Sequence, residues 1–135
     1  RYWPTYFKTL NKLLRPGGKA VIQVITINDG AFKKYRRGTD FIQRHVFPGG
    51  MLPSPSAFEQ HASRASFRIV DDHAFGLHYA RTLGLWHEAF LDKLIDVKAQ
   101  GFDERFVRLW RFYLAYCEAG FRARSIDVHQ YTLTT

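Results

Sequence analysis

Apolar and polar residues alternate with more than one rhythm along this chain, and each change of rhythm marks an element. From Pro4, which suits the first turn of a helix because its missing N–H is not needed there, Tyr6, Phe7, Leu10, Leu13 and Leu14 fall on one helical face. Arg15-Pro16-Gly17-Gly18 ends that helix. Lys19 to Ile27 is then apolar almost without interruption and rich in β-branched residues. That pattern predicts a central parallel strand covered by helices on both faces. Asn28-Asp29-Gly30 breaks it at its carboxyl end, the edge where open α/β sheets place their ligands. The stretch 28–54 is too long for a plain connection and reads as a partly helical insertion, a lid over that edge, with Phe32, Tyr35, Phe41 and Ile42 as its apolar positions.

Ser54 before Pro55, or Ser56 with Glu59 three positions on, caps a helix carrying Phe58, Ala62 and Ala65. Phe67 to Val70 reads as a short strand. Tyr79, Leu83, Trp86, Phe90, Leu94 and Val97 step by three or four and predict one amphipathic helix closed by Gly101. Asp103 caps the next helix, whose Phe106, Trp110, Tyr113, Cys117 and Phe121 form an aromatic stripe that is core by default. Ser125 to Thr134 alternates as a last strand. The fold class is therefore α/β, in one domain over 1–135, with one parallel core strand, two late strands and a lid packed with helices.

The charge is uneven. Residues 1–44 hold ten Lys or Arg against Asp29 and Asp40, so the net charge of +8 lies in the first third. An anionic partner is expected there, a nucleic acid or a membrane surface. With 46% hydrophobic and 16% aromatic residues, the chain has the means to bury a core. No apolar run approaches the roughly 18 residues of a membrane span. One cysteine, Cys117, excludes an internal disulfide framework, and with no apolar signal segment the expected compartment is the cytoplasm. The chain opens on Arg1 inside a helical pattern, as a piece of a longer polypeptide would.

Motifs with specific chemistry are few. There is no GxGxxG, Walker or GxSxG pattern, so no cofactor-binding residue is assigned in this chain. The six histidines form no i, i+4 pair and no pairing with cysteine, so no metal site is expected. Gln23, an amide inside the apolar strand, either finds a structural hydrogen bond or faces a site. Tyr79 offers the same choice: a core aromatic with its hydroxyl paired, or a functional phenol.

Four segments carry a resemblance: LLRPGGKAVIQVITI at 13–27, YRRGTDFIQRHVFPGGMLPS at 35–54, FGLHYARTLGLW at 75–86 and FYLAYCEAGFRAR at 112–124. In this order they resemble the carboxyl-terminal portion of the cyclopropane-fatty-acyl-phospholipid synthases and mycolic acid cyclopropane synthases. The resemblance implies a Rossmann-like class I methyltransferase fold. It also implies S-adenosylmethionine-dependent transfer of a methyl or methylene group to the cis double bond of an unsaturated phospholipid acyl chain, with bicarbonate as general base. By the same resemblance Tyr79, Gln23 and the backbone at Ile25 hold the bicarbonate, and Gln23 departs from the family's histidine. A glutamine amide donates a hydrogen bond to an anion but relays no proton.

Phe47, Leu83, Tyr113, Cys117 and Phe121 fall on the family's acyl tunnel. Lys33, Lys34, Arg36, Arg37 and Arg44 become a docking patch for anionic lipid headgroups, which makes the protein peripheral on the inner face of the membrane. The cofactor-binding half lies upstream in the family, so this portion alone is expected to be inactive. A lipid-binding remnant without chemistry is the alternative, and a nucleic-acid binder ranks last because no such motif is present.

Overall fold

The last strand is the middle of the sheet. In the computed structural model, which describes residues 2–135, β1 (Lys19–Ile27) and β2 (Arg68–Ala74) both pair antiparallel with β3 (Ile126–Thr134), in the order β1-β3-β2. Lys19 lies opposite Thr134 and Ile27 opposite Ile126, so β1 is matched along its whole length. This corrects the parallel reading of β1: among the described residues it has no parallel neighbour. An unbroken apolar run reports cover on both faces and leaves strand direction open.

Side chains of β3 alternate between two cores. Tyr131 and Leu133 point to one face, where Phe7 of α1 (Trp3–Leu13) and Phe58 and Ala62 of α4 (Pro55–Arg64) pack against them with Ala20, Ile22 and Val24 of β1. The rings of Phe58 and Tyr131 stack at 4.3 Å. Val128 points to the other face and meets Ala80 and Leu83 of α5 (Gly76–Asp92), Leu114 and Phe121 of α7 (Glu104–Arg122), and Ile25. The fold is thus a sheet with helices on both faces.

Between β1 and α4 the chain forms α2 (Asp29–Arg37) and α3 (Phe41–His45), each begun by a side-chain cap. Asn28 accepts the N–H of Ala31 at 2.8 Å, and Asp40 forms a capping box with Gln43. The ends of this excursion are clamped together. Ile27 N–H donates to Pro53 O at 3.0 Å, and the Ser56 hydroxyl donates to Asp29 at 2.8 Å. The hydroxyl of Ser54 above all holds the exposed Asp29 carboxyl below its ordinary value, against an opposing effect of burial and with a lesser contribution from Ser56.

Two boundaries differ from those read in the sequence, and one left open between Ser54 and Ser56 is decided. Ser54 is the cap of α4, accepting the N–H of Ala57. β2 runs on to Ala74 through Asp71, Asp72 and His73, because an edge strand exposed on both faces needs no apolar alternation. The predicted helix to Gly101 is broken at Lys93, where α5 gives way to α6 (Leu94–Ala99). Among the described residues no helix is long and apolar enough to cross a membrane, and no group of three or more His, Cys, Asp or Glu is placed to hold a metal ion.

Gly76 opens α5 where its N–H donates to Asp127 Oδ1 at 2.7 Å. A Cβ there would stand 3.1 Å from the Asp127 carboxyl carbon and closer still to that oxygen. Gly76→Ala therefore loses about 1–3 kcal/mol of stability, through overpacking and a displaced hydrogen bond. Chemical denaturation of the full-length protein measures it, and an unchanged midpoint would show that the carboxylate shifts at no cost.

Candidate functional site

An apolar slot of about 580 Å³ lies between the 28–54 excursion and α7. Tyr113, Cys117 and Phe121 line one wall, at the i, i+4 and i+8 positions of a single helix face. Tyr35, Ile42, Phe47, Met51 and Leu52 line the other, and Ile25, Ile27 and Ile126 close it at the ends of β1 and β3. Aromatic contacts join the walls: Phe47 meets Tyr113 edge-on at 6.1 Å, and Phe41 meets Phe112 at 4.5 Å. The Leu52 N–H donates to the Tyr35 hydroxyl, and Gln43 Nε2 donates to Gly50 O at 2.8 Å, so the turn carrying Phe47 is tied back to its own helices.

The phenols and the thiol of the slot are held neutral. Burial above all, and then the neighbouring Cys117, pushes the Tyr113 phenol up to about 12. Burial likewise pushes the Cys117 thiol up to about 11, against the stabilising effect of its hydrogen bond with Tyr113. A thiol so raised is a poor nucleophile at neutral pH and behaves as a small apolar lining group. Burial first, and then the Asp40 carboxylate, also raises Tyr116.

The residues singled out from the sequence are distributed unevenly around this slot. Phe47, Tyr113, Cys117 and Phe121 line it. Leu83 does not: it is buried in the α5–α7 core beside Ala80 and Leu114, facing the neighbouring helix. Tyr79 is half-buried one layer behind the slot, edge-on to Phe121 at 5.2 Å, to Trp86 and to Phe75. Ile25 reaches both the slot and the cluster that includes Tyr79.

Gln23 shares the Ile25 side of β1 but is exposed, so it is not the buried amide that the apolar run implied. Its Oε1 accepts Gln130 Nε2 at 3.0 Å across the β1–β3 pair. The structure therefore supplies the structural hydrogen bond, and the Gln23 amide N–H groups have no partner among the described residues.

Sequence reasoning missed Tyr35, Ile42, Met51 and Leu52 as lining residues. Only the fold-back of the 28–54 excursion brings them over α7, and no local periodicity records that. Lys33, Lys34, Arg36 and Arg37 on α2 and Arg44 on α3 are all exposed, and none has an ion pair among the described residues. Arg36 lies over the Phe32 ring at 5.9 Å. These residues flank the slot's outer wall.

The sequence profile of the family described as "Mycolic acid cyclopropane synthetase" matches residues 1–131. The chain belongs to that family. It is 45% identical over 134 residues to the tuberculostearic acid methyltransferase UfaA1 of Mycobacterium tuberculosis, covering 98% of this chain and 31% of that protein. It is 34% identical over 128 residues to the cyclopropane-fatty-acyl-phospholipid synthase of Escherichia coli, covering 95% of this chain and 32% of that one. Among solved structures, the cyclopropane synthase MmaA2 of Mycobacterium tuberculosis superposes with a TM-score of 0.87 at 26% identity, over 99% of this chain and 50% of that one. Mycolic acid cyclopropane synthase CmaA1, complexed with SAH and CTAB, gives 0.86 at 27%, with the same coverages.

The family member in hand thus spans about a third of its curated relatives' length and has the fold of the carboxyl-terminal portion of a class I methyltransferase. Its residues do not by themselves fit the family's methyl donor. β1 leads through Asn28 directly into α2 without a glycine-rich loop, and the Gly17 and Gly49 turns, with φ of +73° and +79°, serve as chain reversals.

At pH 8 only about a thousandth of Cys117 is thiolate, by its position near 11. Alkylation at Cys117 by iodoacetamide, followed by peptide mass spectrometry in the full-length protein, is expected to run at least about a hundredfold slower than for an exposed thiol, and to accelerate up to about pH 11. Reaction at pH 8 as fast as that of an exposed thiol would mean that the slot is wet.

Proposed function

We propose that this chain is the acyl-holding portion of an enzyme that transfers a methyl or methylene group from S-adenosylmethionine to the cis double bond of an unsaturated phospholipid acyl chain. The slot between the 28–54 excursion and α7 carries this reading. Its 580 Å³ falls within the roughly 300–1,000 Å³ typical of small-molecule sites, and its lining is aromatic and aliphatic. The donor supplies an electrophilic methyl group, and the residues that hold it lie outside this chain. The excursion acts as the lid.

The residues of this chain have the other tasks. Phe47, Tyr113 and Phe121 line the acyl chain's slot, exclude water, and offer ring faces whose negative quadrupole stabilises positive charge developing on the acyl carbon. Tyr79, the free amide N–H groups of Gln23 and the backbone at Ile25 lie on one side of the sheet and hold bicarbonate as the general base. Gln23 binds that anion without relaying a proton. Lys33, Lys34, Arg36, Arg37 and Arg44 bind the anionic headgroups of the membrane's inner face, so that an acyl chain enters the slot from the bilayer. The alternative is a lipid-binding remnant without chemistry.

The test uses the full-length protein, vesicles of unsaturated phospholipid and methyl-labelled S-adenosylmethionine. Label is expected in unsaturated acyl chains and absent from saturated ones, whereas vesicle binding without label would leave the remnant reading. Tyr79→Phe is expected to lower turnover about a hundredfold or more with donor affinity unchanged, because the hydroxyl positions the base. Equal turnover would remove Tyr79 from the site.

Replacing Lys33, Lys34, Arg36 and Arg37 together by Ala is expected to weaken sedimentation with anionic vesicles at least about tenfold at low salt, and less at high salt. Equal binding by the variant at low salt would refute the docking patch.

A further inference from the structure

On the sheet face opposite the slot, α1 and α4 enclose an open cleft of about 500 Å³ whose charged lining is entirely cationic. Lys8 and Lys12 stand four residues apart on one face of α1, and His61 and Arg64 stand three apart on α4. The Asn11 side-chain amide donates to Ala65 O at 2.8 Å, bridging the helices and fixing the separation of the two cationic faces. No Asp or Glu lines the cleft. Elsewhere the chain pairs Lys93, Lys98 and Arg122 with carboxylates, but Lys8, Lys12 and Arg64 have no such partner among the described residues.

A helix dipole accounts for part of this arrangement. Lys12, His61 and Arg64 lie in last turns, where cations are favoured. It does not account for Lys8, which sits mid-helix, or for the convergence of all four side chains on one cavity. Like charges held together repel. Burial first, and the Arg64 charge second, pushes the His61 imidazole below its ordinary value. A bound anion relieves that repulsion.

We propose that the cleft between α1 and α4 binds a phosphate group. Phosphate offers several acceptor oxygens at once, matching the fork of an Arg and the point charges of two Lys, with the Ser66 hydroxyl at the rim as a further donor. The site is independent of the acyl-transfer reading, because the sheet separates it from the slot. Its ligand is a free phosphate or phosphomonoester, or the phosphate of a lipid headgroup.

The experiment follows the ring resonances of His61 in the full-length protein, assigned by their loss in His61→Gln, while inorganic phosphate replaces chloride at constant ionic strength. His61 is expected to become easier to protonate as phosphate binds, and Lys12→Ala with Arg64→Ala to weaken that binding about tenfold or more. Lys8→Ala serves if the double variant fails to fold.

Phosphatidylglycerol vesicles that displace the bound phosphate identify a lipid headgroup as the source, and vesicles without effect identify a soluble one. Either outcome supports the site. A His61 signal indifferent to millimolar phosphate, or equal binding by the variants, overturns it.

Discussion

Everything in this structure depends on β3 pairing on both sides. Among the described residues it is the one strand with hydrogen-bonded neighbours on each edge, and it supplies Tyr131 and Leu133 to one core and Val128 to the other. The pairing joins distant segments: Gln23 and Gln130 meet across 107 residues. Until those segments close, α1 and α4 have no sheet face to cover, and the walls of the slot have no floor. Loop-closure entropy therefore opposes the whole arrangement at one step, and both cores are the return for it.

The two outer strands of the sheet are built differently. β2 is broken in register between Ile69 and Asp71 and carries Arg68, Asp71, Asp72 and His73, devices that discourage another strand from adding to an edge. β1 has no charge after Lys19, no bulge, and a regular pairing along its other side. Its free edge adjoins a cavity of about 630 Å³ lined by Trp3, Tyr6, Val24 and Met51 among others. One edge is closed to further pairing and the other is suited to it, which agrees with relatives about three times as long as this chain.

Much of the fold was legible because its signals are local. Pro4, the Pro16-Gly17-Gly18 turn, the Ser54 and Asp103 caps and the α7 stripe each act within a few residues, and each element stands close to where the pattern put it. Strand direction was not legible, since an apolar run such as Lys19 to Ile27 looks the same beside a parallel or an antiparallel neighbour. The exposure of Gln23 and the inward turn of Leu83 depend on which neighbour covers each face. The slot wall of Tyr35, Met51 and Leu52 depends on a fold-back clamped at Asp29 and Ser56, whose polar residues read in sequence as ordinary turn formers.

The α7 stripe shows how a core becomes a site without a change of composition. Leu114 is spent entirely on packing against α5, whereas Tyr113 and Cys117 are only half-buried, and Phe121 serves both the α5 contact and the slot. What separates the two uses is the wall opposite. Against α5 the stripe meets a long helix in continuous contact. Against the excursion it meets short helices and a turn held by hydrogen bonds such as Leu52 to Tyr35 and Gln43 to Gly50, with few buried side chains. Local opening costs least where buried contact is sparse, so the wall that can part from α7 is the excursion, while β3 and α5 hold the aromatic wall in place. The slot therefore has one fixed face and one yielding face.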